Sequence, residues 1–193
     1  MRHINFKKKV FEEAALTSNL TYQIGELSSL REKSENVQVS EIKSQKIKST
    51  IGKLKKTLRE YRKLTGKGLG IAAIQIGIPL KIAVIFQDEK MLTIINPKII
   101  KKSEDLFRYP EICMSANPII AKVIRPSFIE FEYLDEKGNK QIWKDKDKLI
   151  NRVFAHEIDH MEGIINIDLV DSKSLILHSD PGFFKKARFE KVS

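Results

Sequence analysis

Leu149-Ile150-Asn151-Arg152-Val153-Phe154-Ala155-His156-Glu157-Ile158-Asp159-His160-Met161-Glu162-Gly163 is the stretch whose reading decides the fold. Leu149, Ile150, Val153, Phe154, Ile158 and Met161 return at helical spacing, and Gly163 supplies a stop, so an apolar-striped helix is expected here. Two histidines at i and i+4 lie about 40° apart around such a helix, and both imidazoles then reach one metal ion. Glu157 sits about 100° further round, where its carboxylate serves as a general base rather than as a ligand. The chain has four histidines, and two of them fall inside this motif. That weakens the competing reading, a surface helix with two solvated imidazoles.

A catalytic metal site usually has three protein ligands and one open position. The pattern in which a third histidine follows the motif fails, because Asn166 stands at that place. Asp168, Asp171, Glu190 and His178 are downstream alternatives without a recognisable context. The upstream candidate is Cys113, the single cysteine, in Tyr109-Pro110-Glu111-Ile112-Cys113-Met114-Ser115. One soft thiolate and two imidazoles make a plausible ligand set, which zinc suits first on donor type alone. A lone cysteine otherwise reads as a small buried hydrophobe.

Working outward, Ile47, Ile51, Leu54, Leu58 and Tyr61 recur at intervals of four and three between basic residues, which predicts an amphipathic helix. Gly66, Gly68 and Gly70 break it. Strand-like runs follow at Lys81 to Phe86, at Met91 to Ile95 with a stop at Asn96-Pro97, and at Ile129 to Leu134. The last of these turns through Glu136 to Asn139 into Lys140 to Trp143, a β-hairpin. Helix, then strands, then helix argues for an α+β fold with segregated elements. Residues 1–27 read as a basic N-terminal extension with one helix, and 28–193 as a single catalytic domain.

Composition narrows the function classes. The 193 residues, 41% hydrophobic, are enough to bury one core. The longest apolar run, Ile82 to Phe86, is far short of the ~18 residues of a membrane span, and a single cysteine excludes an intrachain disulfide framework. The net charge of +10 is mostly N-terminal: residues 1–66 carry 15 Lys/Arg against 7 Asp/Glu. Such a field favours RNA-rich partners over DNA or membrane. No secretory or acid-poor transit segment is evident, so a cytoplasmic location is expected, with an organellar one as the alternative.

Three separated motifs give the chain a family likeness. Gly68-Leu69-Gly70-Ile71-Ala72-Ala73-Ile74-Gln75, Glu111-Ile112-Cys113-Met114-Ser115 and His156 to Gly163 resemble, in order, the GxGxAAxQ, EGCLS and HExDHxxG motifs of peptide deformylases. The resemblance implies mainly antiparallel sheets around a central helix carrying HExDH, and a metal held by Cys113, His156 and His160. It implies Fe(II), with Zn, Ni or Co able to occupy the site. The implied reaction removes the formyl group from the N-terminal methionine of newly made polypeptides and releases formate. Glu157 would take a proton from water, and the Gln75 amide and the Met114 backbone N–H would face the oxyanion. Formylmethionyl nascent peptides are the expected partners, with the ribosome as a transient contact.

Gly68 and Gly70 let the backbone approach an extended peptide closely, while Leu69, Leu149 and Val153 are candidates for an apolar substrate pocket. Ile112 stands where the family has glycine, adding bulk beside the substrate and a β-branched backbone preference. Glu111 and Asp159 are expected to orient a histidine or to pair with Arg125 or Arg152. Two alternatives are an attenuated hydrolase with different acyl-peptide specificity and an HExxH metalloprotease with a downstream ligand. A third is a metal-stabilised RNA-binding module in which catalysis has lapsed.

Overall fold

The computed structural model describes residues 2–26, 28–178 and 183–192. Two helices come first, α1 (Arg2–Thr17) and α2 (Gln45–Thr65). Seven strands follow: β1 (Gly70–Ala72), β2 (Ile82–Gln87), β3 (Lys90–Lys102), β4 (Leu106–Ile112), β5 (Ile119–Pro126), β6 (Ile129–Leu134) and β7 (Lys140–Trp143). Then come α3 (Lys148–Met161), β8 (Leu175–Leu177), α4 (Phe183–Lys186) and β9 (Glu190–Val192). The strands form two antiparallel sheets, one in the order β1-β2-β3-β6-β7 and one in the order β8-β5-β4-β9.

Each expected helix has a local cause. Ser44 caps α2 by accepting from the Ile47 N–H, and Gly66 ends it at φ 68°, a left-handed turn that glycine adopts without strain. Ile47, Ile51, Leu54, Leu58 and Tyr61 are all buried, as the spacing predicts. Asp147 caps α3 through the N–H groups of Leu149 and Ile150. The strands expected at Ile129 to Leu134 and Lys140 to Trp143 form the hairpin of β6 and β7.

The core is built on both faces of the five-stranded sheet. On one side Ile71, Ile82, Val84 and Ile95 pack against the apolar stripe of α2. On the other, Ala72, Ala83, Ile85, Ile94 and Phe131 meet Ile150, Phe154, Ala155, Ile158 and Met161 of α3. Successive residues of β2 therefore face opposite helices, which is why the apolar run Ile82 to Phe86 does not alternate with polar residues. The opposite side of α3 reaches β4 and β5 through polar side chains: Arg152 donates to the Val123 and Phe107 carbonyls. The helix that carries HExDH is thus enclosed by the two sheets.

One expectation is corrected. Asn96-Pro97 does not stop the strand begun at Met91, because β3 runs on to Lys102. Asn96 takes φ 51° at a register shift between Ile95 and Lys98, and its side chain bonds both to the N–H and to the carbonyl of Val37. The bulge absorbs the proline. The N-terminal helix lies against α2, with Val10 buried. Beyond it Tyr22 and Ile24 donate to the carbonyls of Gln75 and Ser115.

Candidate metal centre and active site

Cys113 follows directly on the last residue of β4, and His156 and His160 lie one turn apart on α3. The fold brings their ligand atoms within 4.8 Å of one another, with Cys113 Sγ 3.2 Å from His160 Nε2. All three residues are largely withdrawn from solvent. A thiolate and two imidazoles in that space suit a zinc-like or late first-row divalent ion. The downstream alternatives Asp168, Asp171 and Glu190 are not in this cluster: Asp168 pairs with Arg31, Asp171 caps a turn at Lys173, and Glu190 pairs with Arg108.

The surroundings push the two histidines in opposite directions. Burial, aided by the charges of His156 and Arg125, pushes the His160 ring well below its ordinary value, so its lone pair is available. Burial also acts against a charge on His156, but hydrogen bonds to Cys113 and Glu111 outweigh it and raise that ring well above its ordinary value. The proton held there lies in the field of the sulfur, where a metal cation supplies the same charge.

Glu111 is the hub of the surroundings. Its carboxylate accepts from Arg125 Nε and Nη2 at 2.7 and 3.1 Å and from Arg152 Nη1 at 2.6 Å. His156 Nδ1 lies 3.0 Å from Glu111 Oε2. Burial works against the Glu111 charge, yet the Arg125 charge and the His156 hydrogen bond hold the carboxyl well below the usual range. An ionised carboxylate only accepts, so Nδ1 of His156 donates and Nε2 is turned toward the ligand cluster. Asp159 takes the remaining side of Arg125, at 2.6 Å. Both carboxylates beside the motifs therefore pair as the sequence reading expects.

Glu157 is 4% exposed, and among the described residues its Oε2 has no hydrogen-bond partner. Burial pushes its carboxyl up to about 7, against the charges of His156 and Arg125, which pull it down. A buried carboxyl with one unpartnered oxygen, on the same helix as the two candidate histidine ligands, is suited to take and return a proton. Gly70 makes the approach possible: a Cβ there would lie 2.8 Å from Glu157 Cγ. Gln75 is oriented from both ends. Its Oε1 accepts from the Ala72 N–H at 2.9 Å, and its Nε2 faces Ser115 Oγ at 3.1 Å and Cys113 Sγ at 3.7 Å.

These groups open onto a cavity of about 360 Å³. Gly68, Leu69, Gly70, Ile112, Leu149 and Val153 all line it, as do Met114, Gln75, His156 and Glu157. Ile112 pairs in register with Ile120, and its φ is not positive. The β-branched residue thus sits in a strand, as it prefers, while the added bulk does lie in the cavity wall. Sequence reasoning missed Tyr61, Arg62, Tyr109 and Phe184 on this wall, as well as Ser115 behind Gln75. Arg62 donates to the Gly68 carbonyl at 2.7 Å and lies over the Phe86 ring, so the end of α2 fixes the glycine loop. The helical stripe hides Arg62, because it stands beside the buried face rather than on it.

A family model for polypeptide deformylase matches residues 22–175. The peptide deformylase of Prochlorococcus marinus (strain MIT 9312) is 33% identical over 174 residues, covering 88% of this chain and 82% of that protein. That of Pelagibacter ubique (strain HTCC1062) is 40% identical over 117 residues, covering 57% of this chain and 67% of the relative. Among solved structures, a peptide deformylase from Synechococcus elongatus in complex with actinonin superposes with a TM-score of 0.69 at 29% identity, covering 79% of each chain. A probable peptide deformylase from Synechococcus phage S-SSM7 gives 0.67 at 29% identity, covering 78% of this chain and 98% of that one.

Replacing Glu111 by Gln leaves two buried guanidinium groups short of their counter-charge, and urea unfolding is expected to show a loss of about 3–5 kcal/mol. The Glu111 contribution is fully present above its ordinary value of 4.5 and is lost as pH falls toward the depressed folded value. The acid limb of stability against pH should therefore be flatter in Glu111→Gln than in wild type. Gly70→Ala is expected to displace the Glu157 carboxylate and to lower turnover at least about 100-fold with metal content unchanged, read by metal analysis beside the activity assay.

Proposed function

This chain belongs to the polypeptide deformylase family, and from that premise we propose how its own residues carry the reaction. It is an enzyme, a metal-dependent hydrolase that removes the N-formyl group from newly made polypeptides. We assign the metal to Cys113, His156 and His160. The family likeness points to Fe(II), and the one-thiolate, two-imidazole donor set also admits zinc, nickel or cobalt. When bound, the cation acts as a Lewis acid that lowers the pKa of water toward neutrality.

Glu157 moves the protons. Its carboxyl, near 7 by burial, accepts one from the attacking water and returns it to the departing amine, giving formate and a free methionyl terminus. The Gln75 Nε2 amide and the Met114 backbone N–H face the carbonyl oxygen as it gains charge, and one such donor is worth about 2.7–4 kcal/mol of barrier. Gly68 and Gly70 hold the extended peptide along β1, a strand at the edge of its sheet. The observation that carries this account is the buried Glu157 oxygen without a partner, beside three clustered metal-ligand atoms.

Further assignments are part of the same proposal. Residues 1–27 are an extension and 28–193 the catalytic unit. Lys46, Lys48, Lys53, Lys56, Arg59 and Lys63 on the exposed side of α2 supply a basic face for transient contact with ribosomal RNA. A cytoplasmic location suits that role, and among the described residues no helix is long and apolar enough to cross a membrane.

The test is formate release from formyl-Met-Ala-Ser by anaerobically prepared, iron-loaded protein. Wild type is expected to release formate. Glu157→Ala, at equal metal content, should lose about 100- to 10,000-fold, and Cys113→Ala should lose the metal. Full metal content in Cys113→Ala would point instead to a metalloprotease-like ligand set. No release by fully metallated wild type would point to a different acyl-peptide substrate or to a lapsed, RNA-binding protein.

A further inference from the structure

The family match spans residues 22–175, which leaves α1 before it and both α4 and β9 after it. These two ends of the chain converge on the substrate cavity. Pairing of β9 with Leu106–Arg108 of β4 anchors the C-terminal end. Phe189 stacks on Tyr109 with ring centroids 4.3 Å apart and meets Phe107 edge-on at 6.4 Å. Tyr109 is itself a cavity residue, so this anchor lies directly behind one wall.

From that anchor α4 places Phe184 on the cavity wall itself. His178 meets the Phe184 ring edge-on at 5.6 Å, and His178 in turn meets Phe6 of α1 at 5.4 Å. A second tie joins α1 to the rim, because Glu13 pairs at 3.2 Å with Lys67, which also lines the cavity. Segments outside the family match are thus tied to the cavity by two aromatic groups, one of Phe6, His178 and Phe184 and one of Phe107, Tyr109 and Phe189.

The cavity that Phe184 lines is also walled by α3. Leu149, Val153 and His156 share one face of α3 at i, i+4 and i+7 and all line the cavity, so an apolar track leads to the metal cluster. A side chain laid along that track, with its reacting carbonyl at the cluster, lies in a cavity walled by aliphatic groups and by the rings of Tyr109 and Phe184. A thioether is well matched to that setting, because sulfur packs favourably against aromatic rings.

We propose that Phe184 is a specificity-determining residue, by which the C-terminal end beyond the family match walls the pocket for the apolar side chain of the substrate's first residue. The proposal rests on the deformylase reading of the cavity. Its test compares full-length, metal-loaded wild type with Phe184→Ala, Phe184→Leu and Phe189→Ala on formyl-Met-Ala-Ser and formyl-Gly-Ala-Ser. Binding of the product peptide Met-Ala-Ser is followed by calorimetry in parallel.

Loss of an apolar wall felt equally by ground and transition states raises KM and spares kcat. Phe184→Ala should raise KM for formyl-Met-Ala-Ser roughly tenfold with kcat within about twofold, and should weaken Met-Ala-Ser by a similar factor. The glycyl substrate should change less than about twofold. Phe184→Leu should recover most of the loss, and Phe189→Ala should shift KM in the same direction. Unchanged KM and peptide affinity in Phe184→Ala, or an equal loss on both substrates, would overturn the assignment. Failure of the underlying reading looks different: wild type itself would release no formate. Product-peptide binding still judges Phe184 in that case, since equal affinity in wild type and Phe184→Ala overturns its role.

Discussion

The carboxylate of Glu111 is the constraint on which the site's geometry depends. It comes from the end of β4, and it is bonded to Arg125 of β5 and to Arg152 and His156 of α3. Three elements from two parts of the chain are thereby tied at one point, two residues before the sulfur of Cys113. Because the two guanidinium groups fix both carboxylate oxygens, His156 has one direction in which to donate. The ring's other nitrogen then has one place to face. Burying that much charge is unfavourable in itself, and the cluster persists because every charged group in it has an opposite partner in contact.

Around this point the hydrophobic core supplies rigidity. The five-stranded sheet carries α2 on one face and α3 on the other, so the edge strand β1 is clamped between two helices. That clamp presses Gly70 against Glu157, where a side chain would not fit, and excludes solvent from the Glu157 carboxyl. The same end of α2 holds the Gly68 carbonyl through Arg62. Apolar packing, backbone geometry and the acidity of Glu157 are therefore one arrangement seen at three scales.

Much of this was legible in the sequence where a local period carries it. The helices over Ile47 to Tyr61 and Leu149 to Met161, the hairpin of β6 and β7, and the choice of His156, His160 and Cys113 as candidate ligands depend on spacings within a few residues or on rarity of residue type. Other features depend on partners far along the chain. Strand β3 passes Pro97 because Asn96 bonds to Val37, a contact no local pattern signals. Pro110 argues against a strand over Tyr109 to Ile112, yet it sits past the end of the β9 pairing, where β4 is an edge. Nothing in the neighbourhood of Phe184 signals a place on the cavity, since that place is set by β9 and by the stack of Phe189 on Tyr109.

The central claim is that Cys113, His156 and His160 hold one divalent ion, in a geometry set by Glu111. Cobalt(II) substitution tests it most directly, because a cobalt–thiolate bond gives a near-ultraviolet charge-transfer band and a four-coordinate site gives intense visible bands. The account predicts both in wild type, loss of the charge-transfer band in Cys113→Ser, and altered visible bands with weaker binding in Glu111→Gln. A cobalt spectrum in Cys113→Ser that retains the wild-type charge-transfer band would contradict it.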